Sequence, residues 1–241
     1  MTVKINIMQP GFAPWIGFFE QINIVDIHCF MIDVLPSPKV NFKRTKIYNF
    51  DKNNIDHYNW FNSFVGKTPS LQKINEIKVS DYQNNIAKLI KYFHTYKKYF
   101  PYYSDVLEIL NKPMNYEFIY EVNINIIKEI CKYFEFNDKK FIVLNRDDCY
   151  YKKNLDKSDY LISIIKKYKA QEYITGHGAL DYIDYSKFKK NDISLKIMEY
   201  KKNDYSLLKQ DDFHPYLSIM DLIGKRGKGG KSFINSEAKI K

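Results

Sequence analysis

The segment TGHGALDYI, residues 175–183, sets a histidine between two glycines at the end of an apolar run. Gly176 and Gly178 carry no Cβ, so they allow positive φ or the close approach of a ligand, and they leave the His177 imidazole accessible. Such a histidine serves as a base or a hydrogen-bond donor, or else it tops a tight strand-to-helix turn and points at solvent. Asp33 ends a second apolar run, IHCFMID, where a carboxylate either caps a loop or faces a substrate amine, hydroxyl or metal. Next, KVNFKRTK supplies Lys39, Asn41, Arg44 and Lys46. Arginine grips phosphate through two parallel bonds and lysine acts as a point charge, but the same residues also make an ordinary solvated loop. Gln9 stands where the first apolar run meets Pro10, ahead of the aromatic stretch GFAPWIGFF with Phe12 and Trp15.

Other chemistries fail on spacing. Cys29, Cys131 and Cys149 are odd in number and far apart, with no Cys-x-x-Cys pair, so neither a zinc site nor a disulfide framework is indicated and reduced thiols are expected. His28 sits inside an apolar run as a core histidine, and His57 and His94 read as surface residues. No Gly-x-Ser-x-Gly elbow or Ser-His-Asp order is present. GKRGKGGKS, from residue 224, imitates a phosphate-binding loop. It has five residues between Gly224 and Gly230 where the motif has four, and it follows a helical pattern instead of a strand.

Several elements must position these groups. VKINIM, residues 3–8, alternates as a strand and stops at Pro10. After Pro14, Trp15, Phe18, Phe19 and Ile22 recur at helical steps, and IHCFMIDV, residues 27–34, reads as a buried strand. Strand, short helix and strand form a compact βαβ unit, whose parallel strands collect ligands at their carboxyl ends. That rim would bring Gln9 near Asp33. Residues 35–80 look irregular and polar. The middle is helical: Ile86, Leu89, Ile90, Phe93, Tyr96 and Phe100 mark one apolar face, and Ile126, Ile127, Ile130 and Phe134 another. KFIVL, residues 140–144, is a buried strand, and SDYLISIIKKYKA is a helix capped by Ser158. EYITG and LKIMEY are further strands, and the apolar positions after His214-Pro215 form a terminal helix. The expected fold is α/β, an N-terminal βαβ unit in a mostly parallel sheet with a helical middle segment. Residues 1–223 make one domain with a helical insertion at about 81–136, and 224–241 a basic flexible tail.

A chain of 241 residues with 45% hydrophobic content can bury a substantial core. The net charge of +10 invites a nucleic-acid partner, yet the lysines are scattered among abundant Ile, Asn and Tyr, the mix an AT-rich genome writes. With neither an aromatic RNA-binding motif nor a helix-turn-helix pattern, no nucleic-acid partner is expected, although a basic surface attracts phosphate-bearing small molecules. No signal peptide is visible and no apolar run nears the ~20 residues that span a bilayer, so a cytoplasmic protein without a membrane span is expected.

Taken together, the segments resemble the WbqC-like family, typically encoded among bacterial surface-polysaccharide genes. The resemblance is carried by QPGFAPWIGFF (9–19), Asp33, KVNFKRTKI (39–47), INEIKV (74–79), TGHGALDYI and PYLSIMDLI (215–223). IDVLPSP departs from the family's usual run by lacking its first acidic residue and its Gln-Tyr pair. The family's genomic company implies work on nucleotide-linked sugars, and the expected chemistry is acyl or aminoacyl transfer onto an amino sugar. On that expectation His177 or Asp33 takes the amine proton. Amides around Gly176, Gly178 and Ala179 receive the oxyanion, while Lys39, Arg44 and Lys46, with Asn41 and Gln9, hold the substrate. Phe12 and Trp15 stack on a base or sugar face. The implied partners are a nucleotide-linked sugar and an acyl or aminoacyl donor linked to coenzyme A or to an acyl carrier protein, with no metal. The alternatives are a nucleotidyl or adenylate-forming enzyme and a non-catalytic sugar-binding module.

Overall fold

The computed structural model describes residues 2–37, 40–50, 58–63, 71–112, 116–144, 156–200, 216–234 and 237–240. Alternation of Ile5 and Ile7 against Asn6 makes β1 (Lys4–Met8), which Pro10 ends. After the turn come α1 (Ile16–Asn23) and β2 (Ile27–Met31), parallel to β1 with Asn6 opposite His28. The expected βαβ opening is therefore present, with β2 shorter than the apolar run 27–34.

Residues 35–80, expected as irregular, contain β3 (Arg44–Tyr48) and β4 (Tyr58–Asn62), an antiparallel pair forming its own two-stranded sheet. Thr45 and Ile47 point inward while Arg44 and Lys46 point out, which is why the segment reads as a basic loop. The helical middle follows as α2 (Tyr82–Thr95), α3 (Tyr103–Leu110) and α4 (Ile119–Tyr133). Then come β5 (Lys140–Leu144), α5 (Lys157–Lys167), β6 (Glu172–Thr175), α6 (Tyr185–Lys190), β7 (Ser194–Glu199) and α7 (Ile219–Arg226).

The main sheet runs β5-β2-β1-β6-β7-β8, with five parallel strands and β8 (Glu237–Ile240) antiparallel on β7. One face packs Ile5, Ile7, Ile27 and Cys29 against Leu161, Ile164 and Ile165 of α5 and Phe188 of α6. The other packs Phe30 against Phe18, Phe19 and Ile22 of α1, with the helical middle and α7 joined to that core. Helices on both faces bury the parallel strands twice over, and the strand order reverses between β1 and β6.

Two further expectations change. Asp156 caps α5, accepting from the Asp159 amide at 2.9 Å, because the helix begins one residue before Ser158. Ser158 is instead buried and its Oγ accepts from the Asp184 amide at 2.9 Å. Within the expected flexible tail, Gly227 ends α7 at φ 55°, a positive value that suits glycine. The chain then folds back as a 3-10 turn, Gly227–Phe233, whose Gly230 is buried, and β8 joins the sheet. No helix among the described residues is long and apolar enough to cross a membrane. Cys29 and Cys131 are buried, and burial pushes the Cys131 thiol up; Cys149 lies outside the described residues.

Candidate functional site

Strand order reverses where β1 and β6 lie side by side, and their carboxyl ends open into a cavity of about 610 Å³. Met8 and Gln9 leave β1 into it, and Thr175, Gly176, His177 and Gly178 leave β6. Trp15, Phe18 and Gln21 line it from α1, and Thr45 and Lys46 from the hairpin. Lys157, at the start of α5, with Tyr182, Tyr200 and Tyr216, completes the wall.

The turn between β1 and α1 is fixed on every side. Gln9 spends its carboxamide on the loop after β2, its Nε2 donating to the Leu35 carbonyl at 3.0 Å and its Oε1 accepting from the Ser37 amide at 2.8 Å. Buried Asn123 on α4 donates to the carbonyls of Pro10 and Phe42 at 3.0 and 3.1 Å. Ala13 adopts φ 38°, a conformation that costs a non-glycine residue stability. Its carbonyl accepts from the hydroxyls of Thr45 and Ser218, both at 2.9 Å, and the Pro14 carbonyl accepts from the Ile219 amide at 2.9 Å. The strained Ala13 is thus held beside the cavity by the hairpin and by the start of α7.

Aromatic packing then shapes one side. The Trp15 ring lies 4.7 Å from Tyr200 and 5.1 Å from Tyr216, centroid to centroid. A Cβ on Gly17 would stand 2.3 Å from both the Trp15 and Tyr200 rings, so only glycine leaves them room to cross α1. Gly176 is similar: its φ of −88° is ordinary, but a Cβ would sit 3.3 Å from Gln21 Nε2 and 3.4 Å from the Tyr200 hydroxyl. Close approach, not unusual backbone, explains the glycine before His177.

The cavity is bordered by cations. Lys46 Nζ rests 3.8 Å from the Tyr58 ring centroid and Lys157 Nζ 4.8 Å from that of Tyr182. Among the described residues neither lysine has an ion-pair partner. His177 is exposed at the first position of the 3-10 turn His177–Ala179. The Ala179 amide is used within that turn, donating to the Gly176 carbonyl at 3.1 Å. His177 and Gly178, as the first residues of the turn, have amides without intrahelical acceptors.

The structure thus brings Gln9, Phe12, Trp15, Asn41, Lys46, Gly176, His177 and Gly178 around one cavity. Phe12 is fully buried and serves mainly as wall. Asp33 is not part of the lining; it is buried and accepts from the Tyr160 hydroxyl at 3.3 Å. Arg44 also stays outside, its guanidinium stacked 3.9 Å over the Trp60 ring. Lys39 lies outside the described residues. Sequence reasoning missed Gln21, Lys157, Tyr200 and Tyr216. Only the polar Gln21 in a largely apolar helix and the tyrosine closing LKIMEY hinted at two of them. No cluster of three His, Cys, Asp or Glu that could hold a metal ion occurs among the described residues.

Uncharacterized protein Rv1507c of Mycobacterium tuberculosis (strain ATCC 25618 / H37Rv) is 22% identical over 236 residues, 96% of this chain and 97% of that protein. No solved structure matches the chain significantly. The model of the WbqC-like protein family matches residues 9–232, from Gln9 at the end of β1 to the turn after α7. The chain belongs to the WbqC-like protein family.

Proposed function

We propose that the protein is a cytoplasmic transferase of bacterial surface-glycan biosynthesis that moves an acyl or aminoacyl group onto the amine of a nucleotide-linked amino sugar. The observation that carries this is the switch-point cavity, where two lysines without an ion-pair partner among the described residues, an aromatic wall and an accessible histidine converge. Its volume of about 610 Å³ lies within the range of small-molecule sites. Lys46 and Lys157 suit a pyrophosphate, and Trp15 with the cavity tyrosines suits a base or sugar face.

In the transfer, the amine nitrogen attacks the carbonyl carbon of an acyl thioester. His177 takes the amine proton, and the His177 and Gly178 amides receive the developing oxyanion. The C–S bond then breaks, and the thiolate leaves with the proton that His177 has carried. Asp33, held on Tyr160 away from the cavity, is assigned a structural part. Thioester donors are offered with uridine- and thymidine-linked amino sugars, and the product is read by mass spectrometry. Acylated product that His177→Ala abolishes, without loss of sugar-nucleotide binding, is the expected result. Pyrophosphate release from ATP in its place would replace this reading with nucleotidyl transfer, and binding without any turnover would favour a sugar-binding module.

A further inference from the structure

One corner of the cavity has hydrogen-bonding capacity that the fold does not use. Gln21 is 6% exposed and lines the cavity, and its Nε2 donates to the Tyr200 hydroxyl at 3.1 Å. Its Oε1 is buried with no partner among the described residues. Buried carbonyl oxygens rarely go unpaired, so this acceptor calls for a ligand donor. The Tyr200 oxygen already accepts from Gln21, which leaves its own proton to give, and burial, aided by the nearby Glu20 charge, keeps the phenol protonated. The missing Cβ of Gly176, the residue preceding His177, leaves room beside Gln21 and Tyr200.

We infer that Gln21 and Tyr200 seat the amine-bearing carbon of the sugar, Gln21 Oε1 accepting an amine N–H and Tyr200 O–H donating to the oxygen of the adjacent hydroxyl. This rests on the proposed transferase reading and names the part of the substrate that the corner recognises. Adjacent amine and hydroxyl groups on a sugar ring present a donor beside an acceptor, the complement of what the corner offers. An amine that gives one N–H to a carbonyl keeps its lone pair for attack. A keto or carboxylate group at the same place would turn lone pairs toward Gln21 Oε1 and be rejected. Gln21 and Tyr200 are thus specificity-determining residues, distinct from the base.

The test measures binding of three probes by tryptophan fluorescence: UDP-glucosamine, methyl glucosaminide and UDP. Gln21→Leu and Tyr200→Phe are compared with the parent, the second keeping the ring that packs on Trp15. Each variant is expected to weaken both amine probes about tenfold, one hydrogen bond's worth, and to leave UDP unchanged. Gln21→Glu, which places a carboxylate at the amine, should move optimal binding of the amine probes to lower pH than in a background without it. If the variants weaken UDP as much as the amine probes, the corner holds the nucleotide and the inference falls. Thermal melting shifts with unchanged amine binding mean a structural role only, which also overturns it. If UDP never binds while methyl glucosaminide still depends on Gln21, the nucleotide-sugar reading fails and the amine corner stands.

Discussion

Gly17 offers the sharpest trial of how the cavity wall is built. Gly17→Ala places a methyl group 2.3 Å from both Trp15 Cη2 and Tyr200 Cε1, more than an ångström inside ordinary contact. Neither ring can yield freely, since Tyr200 is tied to Gln21 at 3.1 Å and Trp15 is wedged between Tyr200 and Tyr216. Overpacking of this kind costs roughly 1–3 kcal/mol, and separating the rings forfeits about 0.5–1.5 kcal/mol of aromatic contact. Alanine returns roughly 0.5–1 kcal/mol through helix propensity. The net expectation is a loss of about 2 kcal/mol, close to a thirtyfold fall in the folding constant. Urea denaturation at fixed pH measures it. Because the chain has two tryptophans, a Trp60→Phe background isolates Trp15 emission, which should shift as the indole leaves its packed position. A Gly17→Ala protein as stable as its parent, with unchanged Trp15 emission, would refute the argument that the rings require glycine.

Two further perturbations probe the supports of the site. Burial raises the Asp221 carboxyl from 3.8 to about 7, so the folded state holds a proton that the unfolded state releases. Its contribution is complete below about pH 4, falls as pH rises to about 7 and is level above, a change on the order of 4 kcal/mol at most. Asp221→Asn should remove that slope while keeping an acceptor for the Tyr48 amide; identical slopes in denaturation from pH 4 to 7 would contradict it. The paired comparison also separates Asp221 from buried His28, lowered by burial to about 3, whose contribution is instead lost as pH falls below about 6.5. Gln9→Met keeps the bulk but unties Leu35 and Ser37, and a stability loss of about 1–2 kcal/mol is expected because exposed Leu35 and cavity-lining Ser37 can meet water once freed. No loss in urea titration would mean that the loop does not depend on this clamp.

Much of this architecture can be read from residue order. β1, α1, β2, β5, α5, β6, β7 and α7 each announce themselves through apolar periodicity or an uninterrupted buried run. β3 and β4 do not, because Arg44 and Lys46 alternate with Thr45 and Ile47, and the partner strand carries Trp60 and Tyr58, whose faces take the cations. The site is legible where it comes from strand ends, since Gln9 and His177 follow adjacent parallel strands. Asp33 also follows a strand end, yet its side chain turns to Tyr160, a choice set by α5 packing far along the chain. Gln21 meets Tyr200 across 179 residues, a pairing that depends on strand order and leaves no local trace.

The tethers on the hairpin and the opening turn bear on how a ligand is received. Thr45 and Ser218 hold Ala13, Asn123 holds Phe42 and Pro10, and the Lys46 carbonyl accepts from the Ser218 amide at 2.7 Å. Helix α4, helix α7 and the hairpin thus tie the described residues of this wall together. A ligand meeting it loses translational freedom but need not order the wall, and little of its binding energy is consumed there. Encounter at this wall should be limited by diffusion and charge rather than by conformational gating. Through Asn123, the helical middle thus takes part in keeping this wall in place.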